Sequence, residues 1–202
     1  MPTLSQMRDR LRLWLEDDGA EGLWTDAELD EALRWSLERY SRWEPEERVL
    51  TAVVDAGAAE IALPEDALDV ARVLAPGGQV IPRRAAAPAR AVAGEELAWE
   101  LFAGALRFTQ PLAAGAYTVY YTASRTFPAA GGEPFPVPPA AEALILTGAL
   151  VWALEFRARE EWKRGPLPPR YESRLEAARR DYQALQRDLR RRLRTRTLEV
   201  SG

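Results

Sequence analysis

The spacing of hydrophobic residues predicts two helices in the first quarter of the chain. Leucine and methionine recur at three- and four-residue steps, which is typical of one helix face and predicts a first helix from about Leu4 to Glu16. Thr25 and Glu28 form a capping-box pattern, which predicts that a second helix begins just after Thr25. The residues expected on the two buried faces are Leu4, Met7, Leu11 and Leu15, followed by Leu29, Leu33, Leu37 and Tyr40.

Between Arg48 and about Ala123 the pattern changes to short apolar runs that are separated by turn residues. The runs RVLTAVV and AEIAL flank DAGA and predict a β-hairpin. The segment LPEDALDVARVL predicts a short turn of helix that enters another strand. Two strands are predicted on either side of Ala103 and Gly104, and GAYTVYYTA predicts a further strand. Such a series of short strands indicates a small antiparallel β-sandwich or barrel.

Two more helices are predicted after the proline-rich segment FPAAGGEPFPVPP. The helix from Ala140 to Lys163 is apolar on most sides, so we expect it at the centre of the fold. The last helix is predicted from about Arg170 to Arg194. Its apolar residues alternate four- and three-residue steps, as in a coiled-coil seam; they are Tyr171, Leu175, Ala178, Tyr182, Leu185 and Leu189.

Helices therefore precede and follow the β-segment, which predicts an α+β fold. We expect an α-helical bundle of about four helices with an inserted small antiparallel β-sandwich or barrel domain. The predicted boundaries are residues 1–47 for the first helical half, 48–125 for the inserted β-domain, 126–139 for the proline-rich connector, and 140–202 for the second helical half with its Arg-rich C-terminal tail.

The composition argues against most enzyme classes. The 202-residue chain has no cysteine and no histidine, which removes thiolate nucleophiles, imidazole acid–base catalysis and the common zinc and haem ligand sets. Its acidic clusters lie where helix starts favour carboxylates, and glycine-rich phosphate loops are missing. We therefore expect a protein that is not an enzyme and requires no cofactor or metal.

The chain also lacks the usual signals for membrane insertion. Its first residues do not show the basic-then-apolar order of a signal peptide. The apolar run Ala143–Leu154 is too short to span a bilayer. These features predict a soluble protein made in the cytoplasm, with no membrane partner.

Charge is unevenly distributed along the chain. Residues 156–202 carry a net charge of +7 and residues 1–155 a net charge of −11, which together give −4. On the last predicted helix, arginines lie mainly beside the apolar seam. Three interpretations remain open: a solvated helix face with cations at the C-terminal end, a contact with nucleic-acid phosphates, or docking into an acidic groove of another protein.

Tryptophan is frequent, with seven residues in the chain. Trp24 and Trp152 are expected in the core. Trp35, Trp43 and Trp162 are candidates for a contact surface, because tryptophan is enriched where one protein buries surface against another. A core position stays open for each of them and is favoured for any single one, because a large ring is usually mostly buried.

The opening segment LSQMRDRLRLWLEDDGAEGLWTDAELDEALRWSLERYSRW resembles the start of tailed-bacteriophage head–tail adaptor (connector) proteins. In these proteins a first helix and a short loop precede an aromatic or apolar residue, Thr or Ser, Asp and Glu, which open a second helix. The later order, an apolar helix after a proline-rich turn and then a long charged helix, is similar as well. The residues that carry the match are Trp24, Thr25, Asp26, Glu28, Leu29 and Ala32.

The resemblance implies a virion structural protein, located in the neck and made in the host cytoplasm. Family members form a ring, usually of twelve subunits, beneath the portal protein, and an isolated subunit can be monomeric. The ring extends the DNA channel, which DNA would contact only non-specifically, and offers a platform to tail or stopper proteins. Family C-terminal segments commonly reach the portal, which implies portal docking by Leu189, Arg190, Arg191, Arg192, Leu193, Arg194 and Arg196.

Ring assembly would also require contacts between subunits. The residues expected there are Trp35, Trp43, Trp162, Arg179, Arg180 and Arg187. The alternative is a nucleic-acid-binding regulatory or packaging protein that uses the Arg-rich C-terminal helix for phosphate contacts.

Overall fold

A computed structural model describes residues 1–17, 23–84, 96–162 and 169–200, with side chains described outside residues 161–171 and 194–200. The chain divides into two compact units. The helical unit combines Met1–Trp43 with Thr126–Gly202, and the β unit is Glu44–Arg125. Four helices and two antiparallel sheets confirm the α+β prediction.

Local capping fixes where the first two helices begin. Thr3 Oγ1 accepts the Gln6 N–H and the Gln6 side chain accepts the Thr3 N–H. Thr25 and Glu28 form the same reciprocal pair, so the predicted capping box is confirmed. The helices of this unit are α1 (Leu4–Leu15), α2 (Asp26–Ser41), α3 (Glu142–Trp162) and α4 (Pro169–Val200), with a short 3₁₀ turn at Pro139–Ala141 before α3.

Helix α3 is the centre of the helical unit, because it packs against α1, α2 and α4. By length and composition, residues Pro139–Glu160 could cross a membrane, with a mean hydropathy of 1.4. More than half of its most apolar window is buried, however, in the core that it shares with the other helices. The eight residues expected on the buried faces of α1 and α2 are all buried there.

In the β unit, the residues that the structure describes form seven strands in two antiparallel sheets. One sheet has the order β1-β7-β3-β4 and the other β2-β6-β5. Trp99 lies between them: its Nε1 donates to the Ile81 carbonyl at 3.0 Å, and its backbone N–H donates to the Pro82 carbonyl. The strands are β1 (Glu46–Val54), β2 (Glu60–Ala62), β3 (Ala67–Leu74), β4 (Val80–Ile81), β5 (Trp99–Phe102), β6 (Ala105–Phe108) and β7 (Gly115–Ala123).

Two local predictions in the β unit are wrong. The expected hairpin does not form, because β1 pairs with β7 and β2 pairs with β6. β1 and β7 each have nine residues and can pair along their whole length, whereas the AEIAL segment supplies only the three residues of β2. The longer ladder between distant segments is therefore formed in place of the local hairpin. The predicted helical turn is a single hydrogen-bonded turn from Ala67 N–H to the Pro64 carbonyl, after which β3 starts directly.

Candidate assembly surface on the last helix

The apolar seam of α4 packs on the rest of the helical unit. Ala178 and Tyr182 are buried, while Leu175, Leu185 and Leu189 are partly buried against the core. This confirms the predicted seam over those five residues, and Tyr171 lies outside the described side chains. With 32 residues, α4 is about 48 Å long and continues past the predicted end at Arg194 to Val200.

Tyr182 lies where α4 meets α2 and α3. Its ring is 6.4 Å from that of Trp35 on α2. A Cβ atom on Gly148 of α3 would lie 2.9 Å from Tyr182 Cε2 and closer still to Ser36 Oγ. The Ser36 hydroxyl donates to the Ile145 carbonyl at 2.9 Å, so this close approach also satisfies a buried polar group. A glycine is therefore required at this three-helix junction, which hydrophobic periodicity did not reveal.

Burial also raises the pKa of the Tyr182 hydroxyl above its ordinary value of 10.0. Between that value and the folded-state pKa, the folded protein keeps a proton that the unfolded chain has lost. We therefore expect the free energy of unfolding to fall as the pH rises above about 10. Denaturant unfolding at several alkaline pH values would measure this loss. The variant Tyr182→Phe should show a shallower decline; an identical pH profile would contradict the expectation.

The predicted tryptophan contacts are partly used within the subunit. Trp35 and Trp43 are half-buried and pack against the helical core. The Arg39 guanidinium lies 4.1 Å from the centre of the Trp35 ring, and that of Arg190 lies 5.3 Å from the centre of the Trp43 ring. Part of each ring stays exposed, and the role of Trp35 and Trp43 between subunits stays a prediction. The side chain of Trp162, the third predicted residue, lies outside the described part of the chain.

The arginines predicted to contact a neighbouring subunit lie on the exposed side of α4. Arg179 donates two hydrogen bonds to Glu155 of α3, at 2.8 and 3.1 Å. Arg187 donates to the Gln183 carbonyl one turn earlier, at 3.2 Å. Arg180 is exposed. Their role between subunits is untested and stays a prediction.

The residues predicted to dock on the portal fall into three groups. Leu189 and Leu193 are partly buried, and Leu189 belongs to the core-packing seam. Arg190, Arg191 and Arg192 are exposed; Arg190 covers Trp43, and Arg192 pairs with Asp188 one turn before it. Arg194 and Arg196 lie on the helical backbone of α4, but their side chains are outside the described part of the chain. Part of the predicted docking surface therefore belongs to the folded unit itself.

A buried ionic network at the α1–α2 junction was missed by sequence reasoning. The side chain of Asp17 is only 3% exposed and pairs with Arg12 at 2.9 Å. Its carboxylate also accepts the backbone N–H groups of Leu23 and Trp24. Arg12 in turn donates to the Trp24 carbonyl at 2.8 Å and to Asp26 at 2.7 Å. The network fixes the last turn of α1 beside the start of α2.

A second pair joins the same helices. Arg8 on α1 holds Asp30 on α2 through two hydrogen bonds, at 2.6 and 2.7 Å. The bond to Asp30 raises the pKa of Arg8 further above its already high value. The carboxylates of Asp17 and Asp30 are thus each bound by an arginine. Among the side chains that the structure describes, no group of three acidic residues converges to hold a metal ion.

Comparison with known proteins places this fold in a family. A family model described as SU10 adaptor protein matches residues 2–201, nearly the whole chain. No curated protein matches it. The matched range takes in both helical segments and the β unit, and it confirms the resemblance read from the capping-box segment. The chain belongs to the SU10 adaptor protein family, a family of bacteriophage head–tail adaptors, and it is a structural component of the virion.

Proposed function

We propose that this adaptor forms a ring beneath the portal in the virion neck, extends the DNA channel and provides the platform for tail attachment. The C-terminal part of α4 docks on the portal protein. The observation that carries the proposal is the reach of α4. Its last described core-packing residue is Leu189, yet the helix continues to Val200, about 16 Å further.

The charge of this helix end favours a protein acceptor. The guanidinium group of arginine binds a carboxylate through two parallel hydrogen bonds, so a cluster of arginines fits an acidic groove on another protein. Arg190, Arg191 and Arg192 are exposed on successive positions, and Arg194 and Arg196 follow on the same helix. Asp188 pairs with Arg192, and residues 156–202 together carry a net charge of +7. The surplus positive charge supports docking on an acidic surface of the portal.

Ring closure requires a contact between two different faces of the subunit. The exposed edges of Trp35 and Trp43, together with Arg179, Arg180 and Arg187, form one such face along α2 and α4. Arg179 pairs with Glu155 at a side-chain exposure of 50%, so a neighbouring carboxylate can compete for it. The acidic remainder of the chain, net −11 over residues 1–155, supplies such carboxylates.

A truncation tests portal docking without removing core contacts. Deleting residues 194–202 leaves the seam through Leu189 and the Trp43–Arg190 contact intact. We expect the truncated chain to keep its fold by circular dichroism and to bind the portal protein of the same phage at least about tenfold more weakly, a loss of about 1.4 kcal/mol. Arg72→Glu, an exposed charge change in the β unit, is the matched control and should bind normally.

The same variants separate the proposal from its nucleic-acid alternative. Binding to duplex DNA would be measured over a salt series, because each neutralised phosphate steepens the salt dependence. Undiminished portal binding by the truncated chain would refute C-terminal docking. Tight, steeply salt-dependent DNA binding that the truncation abolishes, without any portal binding by the full chain, would favour the nucleic-acid role.

A further inference from the structure

Strand β1 forms a long free edge of the larger sheet. It pairs with β7 through nine consecutive residues, from Glu46↔Ala123 to Val54↔Gly115, without any shift in register. It is the terminal strand of the order β1-β7-β3-β4, so its other side meets no strand among the residues that the structure describes. At about 3.4 Å per residue this edge is roughly 31 Å long.

From Val49 to Val54 this edge lacks the features that usually prevent strands from pairing between molecules. Natural edge strands are short, bulged, or interrupted by charges or proline. The other terminal strands are short: β4 has two residues, β2 has three and β5 has four. In contrast, the β1 sequence from Val49 to Val54 is VLTAVV, with neither charge nor proline. Val49 is 58% exposed and Val53 is 84% exposed on the outer face. An uncharged β-prone segment on a free edge readily pairs with another strand.

We propose that a second copy of this chain covers the edge, with the two β1 strands antiparallel about a two-fold axis near Thr51. This pairing continues the sheet from one subunit into the other and brings Val49 of each copy beside Val53 of the other. Val49 and Val53 are four residues apart on the strand, and side chains an even number of residues apart lie on the same face of a sheet. All four valines of the pair therefore lie on one face of the continued sheet. The contact closes on itself and adds no further copies.

The distribution of charge along β1 selects this arrangement. Its charged residues, Glu46, Glu47 and Arg48, all lie at one end of the strand. About an axis at Thr51, Arg48 lies opposite the uncharged Val54 of the other copy, and the one like-charged pair, Glu47 with Asp55, falls where β1 ends. A parallel pair in register would place glutamate beside glutamate and arginine beside arginine, which is destabilising.

The pairing goes beyond the proposed ring and does not depend on it. A ring is closed by contacts between two different faces, whereas the β1 contact joins two identical edges. Subunits paired in this way are dimers in isolation, with the aggregation-prone edge covered. Failure of portal docking would leave the dimer unaffected, and failure of the dimer would leave docking unaffected.

Lysine substitutions test the pairing on the full chain. Light scattering and sedimentation would measure the mass at concentrations up to about 100 µM, well above the micromolar end of the affinity range of specific interfaces. We expect a dimer for the native chain and a monomer for both Val49→Lys and Val53→Lys. The matched control is Val80→Lys, because Val80 is 59% exposed on the opposite edge strand of the same sheet. It should remain dimeric.

Disulfide trapping gives a second measurement that does not rely on destabilising the edge. The chain contains no cysteine, so Thr51→Cys introduces a single thiol near the proposed axis. Residues directly opposite in an antiparallel pair are about 4.5–5.5 Å apart at Cα, which suits a disulfide. We expect oxidation to link Thr51→Cys chains much faster than Val80→Cys chains. A native chain that stays monomeric, equal linkage of the two variants, or a dimer that both β1 lysines leave intact would overturn the proposal.

Discussion

Replacing Asp17 with alanine is expected to lower the free energy of unfolding of the helical unit by about 3 kcal/mol. The side chain is almost completely buried, and its carboxylate satisfies both Arg12 and the N–H groups of Leu23 and Trp24. Alanine leaves the Leu23 and Trp24 N–H groups without their acceptor and leaves Arg12 with only Asp26 and the Trp24 carbonyl, and the cost of unpaired buried groups exceeds the net value of the original bonds. Denaturant unfolding, followed by the helical circular dichroism signal, measures the loss.

Two further variants separate burial from charge. Asp17→Asn keeps the size and one acceptor oxygen but removes the charge, so we expect a smaller loss of about 1–2 kcal/mol. Asp69→Ala removes a carboxylate that is 58% exposed and pairs with Arg83, and we expect less than about 0.5 kcal/mol. Equal losses for Asp17→Ala and Asp69→Ala would show that the buried network does not stabilise the α1–α2 junction.

Replacing Gly148 with leucine is expected to cost about 3 kcal/mol, because the side chain would be forced into a filled three-helix junction. Even the Cβ atom of the new side chain would lie 2.9 Å from Tyr182 Cε2 and closer to Ser36 Oγ. Gly148→Ala should therefore also destabilise, by about 1–2 kcal/mol, although alanine is a better helix former than glycine. Thermal unfolding of the two variants would rank the effects.

The matched control for Gly148 is Gly132→Ala in the same unit. A Cβ atom there meets nothing within 4 Å, so we expect little change in stability. Combining Gly148→Ala with Ser36→Gly removes the side chain that lies nearest to the new methyl group, and the two changes should therefore cost less together than the sum of their separate effects. Strict additivity, or a native-like Gly148→Leu variant, would contradict the close packing inferred here.

The helices were predictable because their residues repeat a simple local pattern. The predicted start at Leu4 is the observed start of α1, and Thr25 caps α2 as expected, since both signals depend only on residues three or four apart. The seam of α4 followed from the same periodicity. Partner choice between strands depends on residues more than 40 positions apart, and the local DAGA turn signal for β1 and β2 was overruled by the pairing of β1 with β7 and of β2 with β6.

The details of the candidate surface could not be read from periodicity. Trp35 lies off the main apolar stripe of α2 and Trp43 follows the end of that helix, which left core and contact surface both open; residues of α4 contact each ring, Tyr182 at Trp35 and Arg190 at Trp43. This partial burial of the two rings depends on how α3 and α4 pack beside α2, which no local sequence pattern shows. The role of Asp17 was hidden for a similar reason, because an acidic residue after a helix is common on the surface and nothing local marks this one as buried.

The division of the helical unit by the β unit has a consequence for the order of events during synthesis. Beyond the contacts between α1 and α2, residues 1–43 find their packing partners only after residue 126, as in the contact between the Leu4 N–H and the Glu133 carbonyl and that between Ser36 and Ile145. The β unit, in contrast, is complete once residue 125 has emerged from the ribosome. We therefore expect the nascent chain to fold from its middle outward, with α1 and α2 waiting as unburied amphipathic helices until α3 arrives. The large loop that must then close slows this last step, since pairing of distant segments is slower than local folding.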